Sequence, residues 1–176
     1  MNIKNNKRKR ASIEKIEKIF AQLLQKKEIN KISVTEICKK AGINRTTFYA
    51  SYLDIFDLAE KIGKKAIDDF NELYEEEVKS QYNSNGFLKL FSHIKENQLL
   101  YKTYFKLGID SNFKIRRYDT KLAEKYYSNK YIDYHIEYFR AGITAIIKMW
   151  LNNNCDLEPE EVFQIIKEEY KNKFPS

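Results

Sequence analysis

Few folds accommodate the stretch SVTEICKKAGINRTTFYASY at 33–52, because its punctuation is helix, tight turn, helix. Ser33 and Glu36 stand at the S-x-x-E spacing of a capping box, where the hydroxyl accepts a backbone N–H of the first turn and the carboxylate reaches back to the cap. Val34, Ile37 and Ala41 give the helix that follows one apolar face. Gly42 falls where a helix closing on a left-handed residue wants glycine. Ile43 anchors the turn, Asn44 supplies an N-cap, and a second short helix is predicted from Arg45. Two helices joined through a short turn containing glycine form the unit that lays its second helix into a DNA major groove.

Charge agrees with that reading. The chain carries +7 overall, but residues 1–65 hold 16 Lys and Arg against 7 Asp and Glu, whereas residues 66–176 hold 16 against 18. Positive charge is confined to the part with the helix–turn–helix, the footprint expected of a nucleic-acid-binding domain. A solvated lysine-rich surface is the alternative when charge is taken alone.

Other function classes lose ground. No apolar run is long enough to span a bilayer, and the basic start MNIKNNKRKR is followed by an amphipathic segment rather than a signal core. A cytoplasmic protein without a membrane partner is the expectation. Cys38 and Cys155 stand far apart and without neighbours, which points to free thiols rather than a metal site or a disulfide. The chain has no G-x-S-x-G, no HExxH and no P-loop, and His93 and His135 share no metal-ligand spacing. We therefore expect no catalytic residue, no metal and no cofactor, and read the chain as a non-enzyme.

Helical periodicity extends along the whole chain. Ile13, Ile16, Phe20, Leu23 and Leu24 mark one face of a helix over 12–27, preceded by a basic arm at Lys7, Arg8, Lys9 and Arg10. Asp54 and Asp57 suit the cap and first turn of a long helix running to about Ser80 through Leu58, Ile62, Ala66, Phe70 and Tyr74. QYNSNG at 81–86 is a loop by composition. Residues 87–106 read as one helix, 113–127 as one or two shorter ones, and 131–152 as a strong amphipathic helix ended by NNNCD. Pro159 fits the first position of a last helix. The fold class is all-α with about nine helices, divided into a head at 1–65 and a helical regulatory and dimerisation domain at 66–176.

Residues 10–65 resemble the DNA-binding head of the TetR family of bacterial transcription regulators, on the capped helix, the A-G-I turn and the Phe48–Tyr49 pair of the second helix. FRAGITAIIKMWLNN followed by EPEEVFQII also resembles the last two helices of one subgroup, which pair with their mates in a dimer. The resemblance implies a bacterial repressor that binds double-stranded DNA as a homodimer and answers a small-molecule effector. A DNA-binding protein acting through a protein partner, as an architectural factor or activator, is the alternative. One departure stands out: Ile55 occupies a position where many members carry a lysine that grips a phosphate.

Candidate residues follow from both lines. Phe48 and Tyr52, at i and i+4, should pack inward with Ile43, leaving Arg45, Thr46, Thr47 and Tyr49 outward. Arg45 is placed for a bidentate contact to guanine, with a phosphate contact as the alternative. The resemblance adds a phosphate contact for Tyr49 and DNA contacts for Thr35 and Ser51. Twenty of the 25 aromatics fall after residue 65. Tyr101, Tyr104, Phe105, Tyr134 and Tyr138 are candidates to line an effector pocket, although plain core or amphipathic surface explains each singly. The expected dimer face comprises Ile136, Phe139, Ile143, Ile146, Ile147, Trp150, Val162, Ile166 and Tyr170, unless these helices are simply buried in their own subunit.

Overall fold

Every regular element in the computed structural model, which describes residues 3–79, 86–108 and 130–170, is helical. In chain order these are α1 (Ile3–Leu24), a single 3-10 turn (Ile29–Lys31), α2 (Val34–Ala41), α3 (Arg45–Tyr49) and α4 (Ile55–Lys79). Then come α5 (Gly86–Glu96), α6 (Gln98–Lys106), α7 (Ile132–Asn152) and α8 (Pro159–Tyr170). The helix expected at 113–127 lies outside the described residues.

The chain divides into two compact units: Met1–Ala66 with Lys102–Asp110, and Ile67–Tyr101 with Ser111–Ser176. In the first, α1 packs across both α2 and α3. Its core is Ile16, Phe20, Leu23 and Leu24 of α1, Ile37 of α2, Phe48 of α3, and Leu58 and Ile62 of α4, all buried. A segment that sequence reading left with the second domain joins this core. Thr103 is fully buried, with its Oγ1 3.4 Å from the Gln25 amide nitrogen, and Lys106 donates to the Gln25 carbonyl at 3.2 Å. A cation on a carbonyl just past a helix C-terminus satisfies an acceptor that the helix itself leaves open.

In the second unit α5 packs on α8. Leu90, Phe91 and Ile94 meet a core that also holds Ile143, Ile147, Trp150 and Leu151 of α7 and Val162 and Ile166 of α8. Phe91 sets its edge to Trp150 at 6.0 Å, and Phe87 stacks on Phe163 at 6.4 Å. The α7–α8 turn is tied down by polar contacts: Trp150 Nε1 donates to the Leu157 carbonyl at 3.1 Å, and Lys95 reaches the Glu158 carboxylate at 2.7 Å. Pro159 opens α8 as expected, with the Glu158 N–H bonded to the Glu161 carboxylate at 2.7 Å.

Two expectations about helix limits change. α1 begins at Ile3 rather than near residue 12, so the basic arm is helical. Lys, Arg and Ala propagate a helix well, and the Arg10–Glu14 pair adds i,i+4 support. The single helix expected over 87–106 is two, broken at Asn97. At Asn97 the backbone N–H is shared between the His93 and Ile94 carbonyls at 3.0 and 3.2 Å, and the side chain adds a bond to the His93 carbonyl at 2.9 Å.

The buried ring and the exposed cap should differ sharply in worth. Phe48→Ala should destabilise the protein by about 3–5 kcal/mol. Ser33→Ala should cost ~1 kcal/mol. Urea denaturation of the full chain checks both values and their order.

Candidate nucleic-acid interface

Ser33 caps α2 as its spacing demands, accepting the Glu36 N–H at 3.1 Å from an extended backbone. The reciprocal half of the capping box is not made, because the Glu36 carboxylate pairs with Lys27 instead. That pairing joins the end of α1 to the start of α2. Gly42 closes α2 at φ +65°, where an added Cβ would meet nothing within 4 Å, so only backbone conformation demands glycine there. Ile43 donates its N–H to the Cys38 carbonyl and is half-buried in the turn. Asn44 is the N-cap of α3 in backbone conformation, but its side chain makes no cap bond. Its carbonyl instead accepts the N–H groups of Thr47 and Phe48 at 3.0 and 3.3 Å.

α3 separates its faces as predicted. Phe48 and Tyr52 are buried, while Arg45, Thr46 and Tyr49 are exposed and Thr47 and Ser51 half-buried. Thr35 is exposed on the first turn of α2, and Lys39 and Lys40 on its last. Arg45 is ordered by a neighbour one turn away. Its Nη2 donates to the Tyr49 hydroxyl at 3.3 Å, and the guanidinium lies 5.8 Å from the ring centroid. Tyr49 in turn sets its ring perpendicular to Phe48 at 5.5 Å. A buried aromatic thus supports an exposed one, which holds the cation. The hydroxyl bond also favours the charged guanidinium and moves its pKa further up.

The joint between α3 and α4 is fixed by residues no local pattern marks. The Tyr52 hydroxyl donates to Glu17 of α1 at 3.0 Å, and Lys61 lies over the Tyr52 ring at 5.2 Å. Lys61 also donates to the Ser51 carbonyl at 2.9 Å and to Asp57 at 3.0 Å. Asp54 Oδ1 accepts the N–H groups of Phe56 and Asp57, each at 2.8 Å, and Asp57 Oδ2 accepts that of Leu53 at 2.8 Å. The Leu53 bond, aided by Lys61, holds the Asp57 carboxyl below its usual pKa. Ile55 is buried, so the position where related chains carry a phosphate-gripping lysine belongs here to the core.

The second unit scatters the residues assigned to a pocket. Tyr134 and Tyr138 are surface residues at 78% and 65% exposure, because α7 turns its Ile143–Ile147–Trp150 face inward and these tyrosines lie off that face. Tyr104 is buried and meets Phe105 edge-on at 5.2 Å in the first unit, whereas Tyr101 is buried in the second. Around Tyr101 stands a group that sequence reading missed. His93 meets the ring edge-on at 5.8 Å, and its Nε2 lies 3.6 Å from Asp69. The Tyr101 hydroxyl and His93 Nε2 are buried without a hydrogen-bond partner. Burial, then the Asp69 charge, pushes the Tyr101 pKa up.

The face expected at a dimer is largely core. Ile143, Ile147, Trp150, Val162 and Ile166 are buried inside the unit, and Ile146 is half-buried. The side chains of Ile136, Phe139 and Tyr170 lie outside the described residues. The outward side of α7 carries Tyr134, Tyr138, Ala141, Ala145 and Met149 instead, all exposed and at helical spacing. Among the described residues, no group of three or more His, Cys, Asp or Glu could hold a metal ion, and no helix is long and apolar enough to cross a membrane.

Residues 82–171 match a TetR-type family model described as the transcriptional regulator C-terminal region. The chain belongs to the TetR family of transcriptional regulators. It is 34% identical over 98 residues to the HTH-type dhaKLM operon transcriptional activator DhaS of Lactococcus lactis subsp. lactis (strain IL1403), a match covering 56% of this chain and 50% of that protein. The chain thus spans about half the length of this curated relative. A solved structure of a dihydroxyacetone kinase operon activator, DhaS, superposes with a TM-score of 0.56 at 26% identity, covering 94% of this chain and 98% of its own. The all-helical fold is that of the family.

Two buried tyrosines should respond oppositely to loss of the hydroxyl. Tyr52→Phe removes a bond to a carboxylate and should cost about 1–3 kcal/mol at pH 7, whereas Tyr101→Phe removes an unpaired hydroxyl and should be neutral or stabilising. Both hydroxyls have pKa values raised in the folded state. Stability should therefore be intact below the ordinary tyrosine pKa of ~10 and fall as pH rises beyond it, with each Phe variant flattening part of that slope. Urea denaturation between neutral pH and the alkaline limit reads both effects.

Proposed function

We propose that this protein is a sequence-specific DNA-binding transcription regulator that acts as a homodimer on a pseudo-palindromic operator. One observation carries the reading. The outward face of α3 presents Arg45 and Thr46 to solvent while Phe48, buried beneath, and Tyr49 hold the arginine in place. A cation held in that way is suited to bidentate recognition of guanine, and the surrounding Thr35, Thr47, Ser51 and Tyr49 offer hydroxyls to phosphates or base edges. Exposed Lys39 and Lys40 and the helical basic arm from Lys7 to Arg10 add the sequence-independent attraction.

A second copy is the natural partner of the outward α7 stripe. Tyr134, Tyr138 and Met149 supply apolar area, and Ala141 and Ala145 between them let two helices approach closely. Dimerisation doubles the contacts of a small head and places two reading helices one DNA turn apart, ~34–36 Å. Both relatives are described as operon activators, which favours activation over the repression that the family resemblance alone implies. Support for a small-molecule effector is narrower, resting on the unpaired Tyr101 hydroxyl and His93 Nε2 beside Asp69.

Selection of bound fragments from random DNA tests the reading directly. It should return an inverted repeat, and Arg45→Ala should relax preference at one base pair per half-site, a loss of about 1–3 kcal/mol in discrimination. Failure of the wild-type chain to enrich any sequence would remove the reading. If the dimer makes ~6–10 phosphate contacts, affinity should drop by orders of magnitude as salt rises from 50 to 200 mM. Ala145→Glu, a carboxylate in the middle of the α7 stripe, should give a monomer by light scattering at micromolar protein while wild type is a dimer.

A further inference from the structure

The corner where α3 passes into α4 is built unlike a DNA grip. Leu53 is 80% and Phe56 62% exposed, while Ile55 between them is buried, so the turn presents two large apolar side chains and hides the third. Asp54 and Glu60 are exposed beside them, with Glu60 one helical turn from Phe56, while the Asp57 carboxylate is taken up by Lys61 and the Leu53 N–H. The nearest cation along α4, Lys61, is committed to Asp57 and the Ser51 carbonyl. Lys64 lies two turns beyond Phe56, ~12 Å along the helix. A helix N-terminus ordinarily attracts anions through its free N–H groups. Here the N–H groups of Leu53, Phe56 and Asp57 are already bonded to the carboxylates of Asp54 and Asp57. A DNA phosphate would meet satisfied donors and negative charge.

We infer that this acid-edged apolar corner, Leu53 and Phe56 beside Asp54 and Glu60, docks a basic surface of RNA polymerase. The inference rests on the DNA-binding reading above. An exposed aromatic and an aliphatic anchor beside a charged edge have the anatomy of a protein–protein hot spot, and the sign of the edge selects a Lys- and Arg-bearing partner. The corner begins four residues after Tyr49, at the edge of the face assigned to DNA, so a polymerase on the same duplex lies within reach. The relatives are described as activators, and an activator must either touch the transcribing machinery or deform the DNA.

The test separates binding from activation. Full-length wild type, the double variant Leu53→Ala/Phe56→Ala and the charge reversal Glu60→Lys are compared on a linear promoter template carrying the selected operator, with purified RNA polymerase holoenzyme. Both variants should bind the operator within about twofold of wild type and lose about tenfold or more of the activated transcript, the loss expected when hot-spot anchors are removed. A photo-crosslinking residue at position 56 should mark a polymerase subunit only when operator DNA is present. Transcript yield unchanged in both variants would overturn the inference, as would operator affinity falling in step with transcription, which would place the corner on DNA. A wild-type chain that binds its operator and lowers the transcript also overturns it while leaving DNA binding intact. A wild-type chain that selects no DNA sequence removes the DNA-binding reading, and this inference with it.

Discussion

Burial of the Phe48 ring is the constraint on which the candidate interface depends. α3 has five residues, far below the length at which a helix persists alone, so it exists because one side chain ties it to the core. Phe48 sits against Tyr49 and Tyr52, each 5.5 Å away, and α1 packs over both α2 and α3. From that anchor the order passes outward: Tyr49 steadies on Phe48, and Arg45 steadies on Tyr49. Rigidity on an exposed face costs conformational entropy, and here it is underwritten by burial beneath.

The same logic explains why the start of α4 differs from its family's pattern. Replacing a phosphate-gripping lysine by Ile55 trades an exposed charge for a core contact. The turn then secures itself internally, through Asp54, Asp57 and Lys61, rather than through a ligand. Whatever contacts this corner makes, its own backbone is already satisfied. The second unit shows the converse in the Tyr101 hydroxyl and His93 Nε2, buried atoms that find no hydrogen-bond partner. Buried donors and acceptors of that kind are rare in cores, and they tend to mark places where another molecule, water included, belongs.

Much of the head was legible from 33–52 because its signals are local. A cap, a left-handed glycine and an i,i+4 aromatic pair act within a few residues, and Ser33, Gly42, Phe48 and Tyr52 all stand where those rules put them. Periodicity was less informative where two faces of one helix are both apolar. α7 has an inward face of Ile143, Ile147 and Trp150 and an outward stripe of Tyr134, Tyr138 and Met149. Nothing in the spacing says which is core, so Ile143, Ile147, Trp150, Val162 and Ile166, expected at a dimer face, are interior, and Tyr134 and Tyr138, expected around a pocket, are surface. The break at Asn97 has no mark in the spacing, because Asn is tolerated in helices and the residues on either side keep one helical period.

By itself, then, the sequence determined the helical class, the position of the turn and the division of α3 into an inner and an outer side, since each follows from periodicity and backbone preference among near neighbours. Tertiary structure decided which partners distant residues take: Glu17 for Tyr52, Lys27 for Glu36, Lys61 for the Ser51 carbonyl, and Gln25 for Thr103. It also decided that Ile55 is core and Leu53 and Phe56 are surface. These choices depend on which elements meet across the fold, and side chains far apart in the chain carry no local mark of the neighbour that packing will bring.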